Sequence, residues 1–60
     1  MDMKTYTIQT EASTRSKSRR SMTHVIEATS EADAAFEARM RHVRRCGWHV
    51  PVYIESVEVR

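Results

Sequence analysis

Apolar and polar positions alternate with period two in three stretches of this chain and recur every three to four residues in a fourth. The first stretch, 4–12 (KTYTIQTEA), sets Tyr6, Ile8, Thr10 and Ala12 on one face and Thr5, Thr7, Gln9 and Glu11 on the other. Its threonines and tyrosine suit a pleated, half-buried surface, so a strand is predicted over 4–12 with Tyr6 and Ile8 facing the core. The second stretch, 22–29 (MTHVIEAT), puts His24, Ile26 and Ala28 on one face and Val25 and Glu27 on the other. Ile26 and Ala28 are assigned to the core, because a small residue just before the next turn lets the following element come close. His24 then falls at the far end of the sheet as a partly buried structural residue. The third stretch, 52–59 (VYIESVEV), follows Pro51, whose missing N–H belongs at a strand start or an edge. Its alternation changes phase between Ile54 and Val57, which a bulge near Glu55 and Ser56, or a strand with both faces partly covered, would explain.

The helical stretch is 31–46, with Ser30 before it and Gly47 after it. Ser30 is the expected N-cap, and Asp33 three residues later approximates a capping box. Glu31 and Asp33 fall in the first turn and Arg41, Arg44 and Arg45 near the last, as the helix dipole prefers. Gly47 supplies the residue that can take positive φ at the C-terminus. Ala32, Ala35, Phe36, Met40, Val43 and Cys46 form the expected buried stripe, with Phe36 as its central anchor. The opposite face presents Asp33, Glu37, Arg41, Arg44 and Arg45, with Glu37 and Arg41 in favourable i,i+4 order.

The order strand, strand, helix, strand implies a single α+β domain over 1–60 with a ββαβ layout. A helix leaving the second strand runs back over the sheet, so the third strand enters antiparallel to the first and pairs on its free side. The expected result is a three-stranded antiparallel sheet in order 2-1-3 with one helix packed on one face. The other face would show Thr5, Thr7, Gln9, Val25, Glu27 and either Tyr53 or Val52 to solvent. The second and third strands are edges, and the third carries few charges to blunt it, which invites a homodimer or a partner strand.

Charge and composition change this picture in one place. The segment 13–21 (STRSKSRRS) has no apolar residue, and Arg15, Lys17, Arg19 and Arg20 are all basic. It reads as a mobile basic hairpin loop, either a solvated turn or a finger for phosphates or an acidic protein surface. The net charge of the 60 residues is only +2, so distribution matters more than sum. A chain this short sits near the lower limit for an independent apolar core, and its single cysteine, Cys46, allows no internal disulfide. The lone thiol and the lack of a signal-like apolar run point to a cytoplasmic setting, and no stretch is apolar enough to span a membrane.

Catalytic groupings are scarce. Glu55 and Glu58 fall on opposite strand faces, the one glycine excludes a glycine-rich phosphate loop, and no serine lies in a nucleophile motif. His42, Cys46 and His49 have spacings that could converge on zinc, but a fourth ligand is missing and Cys46 also fits the apolar stripe. No cofactor is therefore assigned. Nucleic-acid binding draws on the basic loop and on Arg39, Arg41, Arg44 and Arg45, diluted by the acidic residues and without an aromatic stacking pair. The non-catalytic reading assigns partner contact to Arg15, Lys17, Arg19, Arg20, Arg41, Arg44 and Arg45. In layout and size the segments KTYTIQTEA, THVIEATSEADAAFEA and VYIESVEVR resemble small proteins of bacteriophages and mobile elements, including compact anti-CRISPR proteins. That resemblance implies an inhibitor occupying a nucleic-acid-binding surface or subunit interface of a host CRISPR effector. It transfers no functional residue.

Overall fold

The computed structural model describes residues 2–60; position 1 of the domain expected over 1–60 lies outside them. Its elements are β1 (Lys4–Ala12), α1 (Lys17–Arg20), β2 (Ser21–Ala28), α2 (Glu31–Cys46) and β3 (Val52–Val59). The strands form one antiparallel sheet in order β2-β1-β3, with α2 across one face. This is the ββαβ architecture expected from the alternating segments. The second strand begins at Ser21 and ends at Ala28, one residue earlier at each end than the pattern indicated.

Strand register explains which residues meet. Tyr6, Ile8 and Thr10 pair with Ile26, His24 and Met22 on β2. Directly paired residues share a face, so all six point toward α2. On the other side Tyr6 pairs with Val59, Ile8 with Val57, Thr10 with Ile54 and Ala12 with Val52. The register slips by one residue between Gln9 and Thr10, leaving Glu55 without a partner on β1. Of the two explanations for the phase change near Glu55 and Ser56, this selects the bulge. It brings Val52 and Ile54 to the same face as Val57 and Val59. Val52 is consequently buried, and Tyr53 is the residue exposed on the open face.

The helix starts and stops as the sequence implies. Ser30 Oγ accepts the Asp33 N–H at 3.2 Å, and the Asp33 carboxylate accepts the Thr29 hydroxyl at 3.4 Å instead of closing the capping box. Gly47 has φ 103° and donates its N–H to Val43 O at 2.6 Å.

The buried stripe differs from the expected one. Ala34, Ala38, His42 and Val43 are the buried residues of α2. Ala35, Met40 and Cys46 are half-buried, whereas Ala32 is exposed and Phe36 is 66% exposed. Size accounts for this. Ala34 and Ala38 stand one turn apart and let the helix backbone approach Tyr6, Ile8, Ile26 and Ala28, with which they form the main core cluster. A helix seated on its alanines rotates Phe36 out toward the flank of β3. A second, smaller cluster of Ala12, Val43 and Val52, with Cys46 and Val50 against it, closes the end where α2 stops and β3 starts.

Candidate functional site

The basic segment 13–21 is not the loop expected from its composition. The Thr14 N–H donates to Ala12 O at 2.9 Å, and the Arg19 N–H to Ser16 O at 3.2 Å, winding Lys17–Arg20 into one helical turn, α1. None of its residues is buried. A segment without apolar side chains must be held through its backbone, and the anchor is a buried polar chain in the core.

His42 lies fully buried on α2, and its Nε2 is 2.6 Å from the carbonyl oxygen of Arg19. A carbonyl can only accept, so Nε2 carries the proton. In the neutral ring Nδ1 is then a bare acceptor, and it receives the hydroxyl proton of Thr10 at 2.6 Å. The Thr10 oxygen in turn accepts from Nε2 of His24 at 2.9 Å. The chain His24 to Thr10 to His42 to Arg19 O thus crosses from β2 through β1 and α2 to α1. The thiol of Cys46 also donates to Arg19 O, at 3.4 Å, using its second lone pair. No buried side-chain nitrogen or oxygen among the described residues lacks a partner.

Electrostatics favours a neutral His24 ring. Burial pushes the His24 pKa below its ordinary 6.5, and the proximity of His42 and of the Arg41 guanidinium pushes it the same way. The two rings lie 6.4 Å apart between centroids.

Zinc ligation by His42, Cys46 and His49 does not agree with this geometry. Both ring nitrogens of His42 are already bonded, and His49 is exposed beyond Gly47. Among the described residues no group of three or more His, Cys, Asp or Glu side chains is disposed to hold a metal.

The consequence for the basic residues is that two stretches far apart in sequence share one end of the molecule. Arg19 is bonded to the last two turns of α2 through His42 and Cys46, and those turns carry Arg44 and Arg45. Arg15, Lys17, Arg19, Arg20, Arg44 and Arg45 are all exposed. The one ion pair among the described residues joins Arg41 to Glu37 at 3.1 Å. Arg41 is therefore the expected site residue whose charge is already answered, while the other six have no carboxylate within salt-bridge distance. Trp48 is 77% exposed just beyond Arg44, Arg45 and Gly47. Its signal was available, since a large aromatic following a helix-stopping glycine has little local core to enter.

The opposite end of the sheet has the opposite character. Asp2, Glu27, Glu31, Asp33 and Glu58 gather where β1 starts and β2 and β3 finish, against Lys4 and Arg60. The domain is thus charged lengthwise, predominantly basic at the α1 end, where Glu11 lines one depression with Arg15 and Arg20, and acidic at the other. No helix among the described residues is long and apolar enough to cross a membrane. No family model, curated protein or solved structure matches the chain.

Proposed function

We propose that this chain is a non-catalytic binding protein that docks its basic end on an anionic surface of a host nucleoprotein complex and blocks it there. Compact anti-CRISPR proteins, which it resembles in layout and size, exemplify this mode of action. The observation that carries the reading is the cluster of six exposed cations without ion pairs, presented on backbone tied into the core by His42. A fixed array loses less side-chain and loop entropy on docking than a mobile finger would. Trp48, exposed just past the helix end that carries Arg44 and Arg45, adds a large aromatic of the kind enriched, with arginine, at the energetic centres of protein interfaces.

Direct binding of free nucleic acid is the second reading. Around α1 the exposed side chains are only cationic and hydroxyl-bearing, a composition suited to phosphate oxygens. Mobility shifts with generic duplex DNA and RNA at two salt concentrations separate the two. Tight binding whose logarithm falls steeply with that of salt supports the second reading, whereas no shift together with co-purification of a CRISPR effector subunit supports the first. Replacing Arg15, Lys17, Arg19 and Arg20 together by serine is expected to weaken whichever partner binds by about tenfold or more. Undiminished binding by this variant would overturn both.

A further inference from the structure

The two long flanks of the domain are built differently. Beside β2, α2 presents Asp33, Glu37 and Arg41, which line one depression with Glu27, Met3 and Val25, so that edge mixes several charges with apolar surface. Beside β3, α2 presents Phe36, Met40 and one charged residue, Arg39, which line a depression with Val43, Trp48 and Val52. The helix-side face of β3 continues it with Ile54, 38% exposed, the half-buried Val57, and Val59, 49% exposed. The outer edge of β3 pairs with no strand among the described residues. An unpaired strand edge and an apolar stripe thus lie side by side along the whole of β3.

We propose that a second copy of this chain covers this flank, through antiparallel pairing of β3 with its symmetry mate about a two-fold axis between Glu55 and Ser56. Two features select a copy of the same chain. The first is the pattern of β3, which the bulge makes self-complementary. In this register Val52 faces Val59 of the mate and Ile54 faces its Val57, apolar against apolar on the helix side. Tyr53 faces Glu58 on the open side, and the two bulged stretches meet at the axis. A one-residue slip would set apolar against polar, Val52 against Glu58 and Ile54 against Ser56 in one direction, Ile54 against Glu58 and Glu55 against Val57 in the other. The second feature is lengthwise charge. Antiparallel pairing sets the basic end of each copy, with Arg15, Lys17, Arg19, Arg20, Arg44 and Arg45, beside the mate's acidic end. Parallel pairing would set like against like.

The resulting six-stranded sheet has both helices on one face and places two basic ends at opposite corners. Such a closed, isologous contact needs no third component. It also extends a core that a 60-residue chain can build only to small size.

Sedimentation equilibrium tests this without any anionic ligand, so its failure is separate from failure of the proposed function. The expected result is a monomer–dimer equilibrium in which Val59→Lys and Phe36→Lys each raise the dissociation constant about tenfold or more. Both positions are exposed in the single chain, and unchanged far-ultraviolet circular dichroism verifies that the variants fold. Amide hydrogen exchange provides a second readout, because outward-pointing N–H groups of β3 should slow as concentration rises. A chain that stays monomeric at millimolar concentration would overturn the proposal, including the case where a foreign strand occupies the edge. So would a dimer that neither substitution weakens.

Discussion

The interface between α2 and the sheet has an alanine end and a histidine end, held by different forces. At the first, Ala34 and Ala38 pack on Tyr6, Ile8, Ile26 and Ala28, and contact is non-directional dispersion and burial. At the second, the same row of the helix continues as His42, which meets Thr10 and reaches Arg19 O through hydrogen bonds. Apolar packing brings layers together but does not choose which loop lies on them. The directional bonds do so, fixing a basic segment that has no apolar side chain of its own.

The sharpest way to break this comparison is Thr10→Val. It keeps the shape of a fully buried side chain while leaving His24 Nε2 and His42 Nδ1 without their shared partner. Stability should fall by about 3 kcal/mol, the combined cost of two buried polar groups left unmade. Thr10→Ser retains the hydroxyl and should cost only about 1 kcal/mol for the lost methyl. Urea denaturation measures both, and equal losses would mean that the relay contributes nothing beyond packing.

At the alanine end the corresponding change is Ala38→Leu. The position is fully buried against the sheet, so added carbons force the layers apart. A loss of about 2 kcal/mol is expected, again read from urea midpoints. A neutral effect would show that the alanines do not set the spacing.

These two ends also divide what was legible in the sequence. Strand periodicity, the Ser30 cap and Gly47 placed the elements of the sheet and the bounds of α2, because each signal is local. Apolar periodicity alone points to Phe36 as anchor because it ignores side-chain size, whereas the helix seats on Ala34 and Ala38. Thr10 and His24 stood on the inward faces of their strands in the sequence pattern, and His42 lies four residues beyond Ala38. Their meeting at one level of the sandwich depends on strand register, which no local signal carries. For the same reason the order in 13–21 was invisible, since its anchor is a side chain more than twenty residues away.

A smaller effect separates the ends by pH. His24 has its pKa lowered from 6.5 by burial and by the proximity of His42 and Arg41. Below pH 6.5 the unfolded chain therefore binds more protons at this site than the folded one. The site's full stability is present above pH 6.5 and declines as the pH falls from there to the lowered folded value, at up to about 1.4 kcal/mol per pH unit for one proton. Comparing wild type with His24→Phe at pH 7.5 and pH 5.5 isolates this from the carboxylates. The difference in stability between the two proteins should shift toward the variant at the lower pH, and a constant difference would contradict it.

The smallest expected effect concerns Phe36. Were it the anchor that helical periodicity implied, Phe36→Ala would cost about 3–5 kcal/mol. Seated on the flank with 66% of its surface exposed, it removes little apolar area from water in the single chain, and alanine is the better helix former. In dilute solution, where mass action favours separate chains, the substitution should change stability by no more than about 0.5 kcal/mol. At high concentration the same substitution should lower the melting temperature relative to wild type, because the residue then leaves water against the mate. A large loss in dilute solution would return the helix to the phase in which Phe36 faces β1 and would remove the alanine end from the comparison.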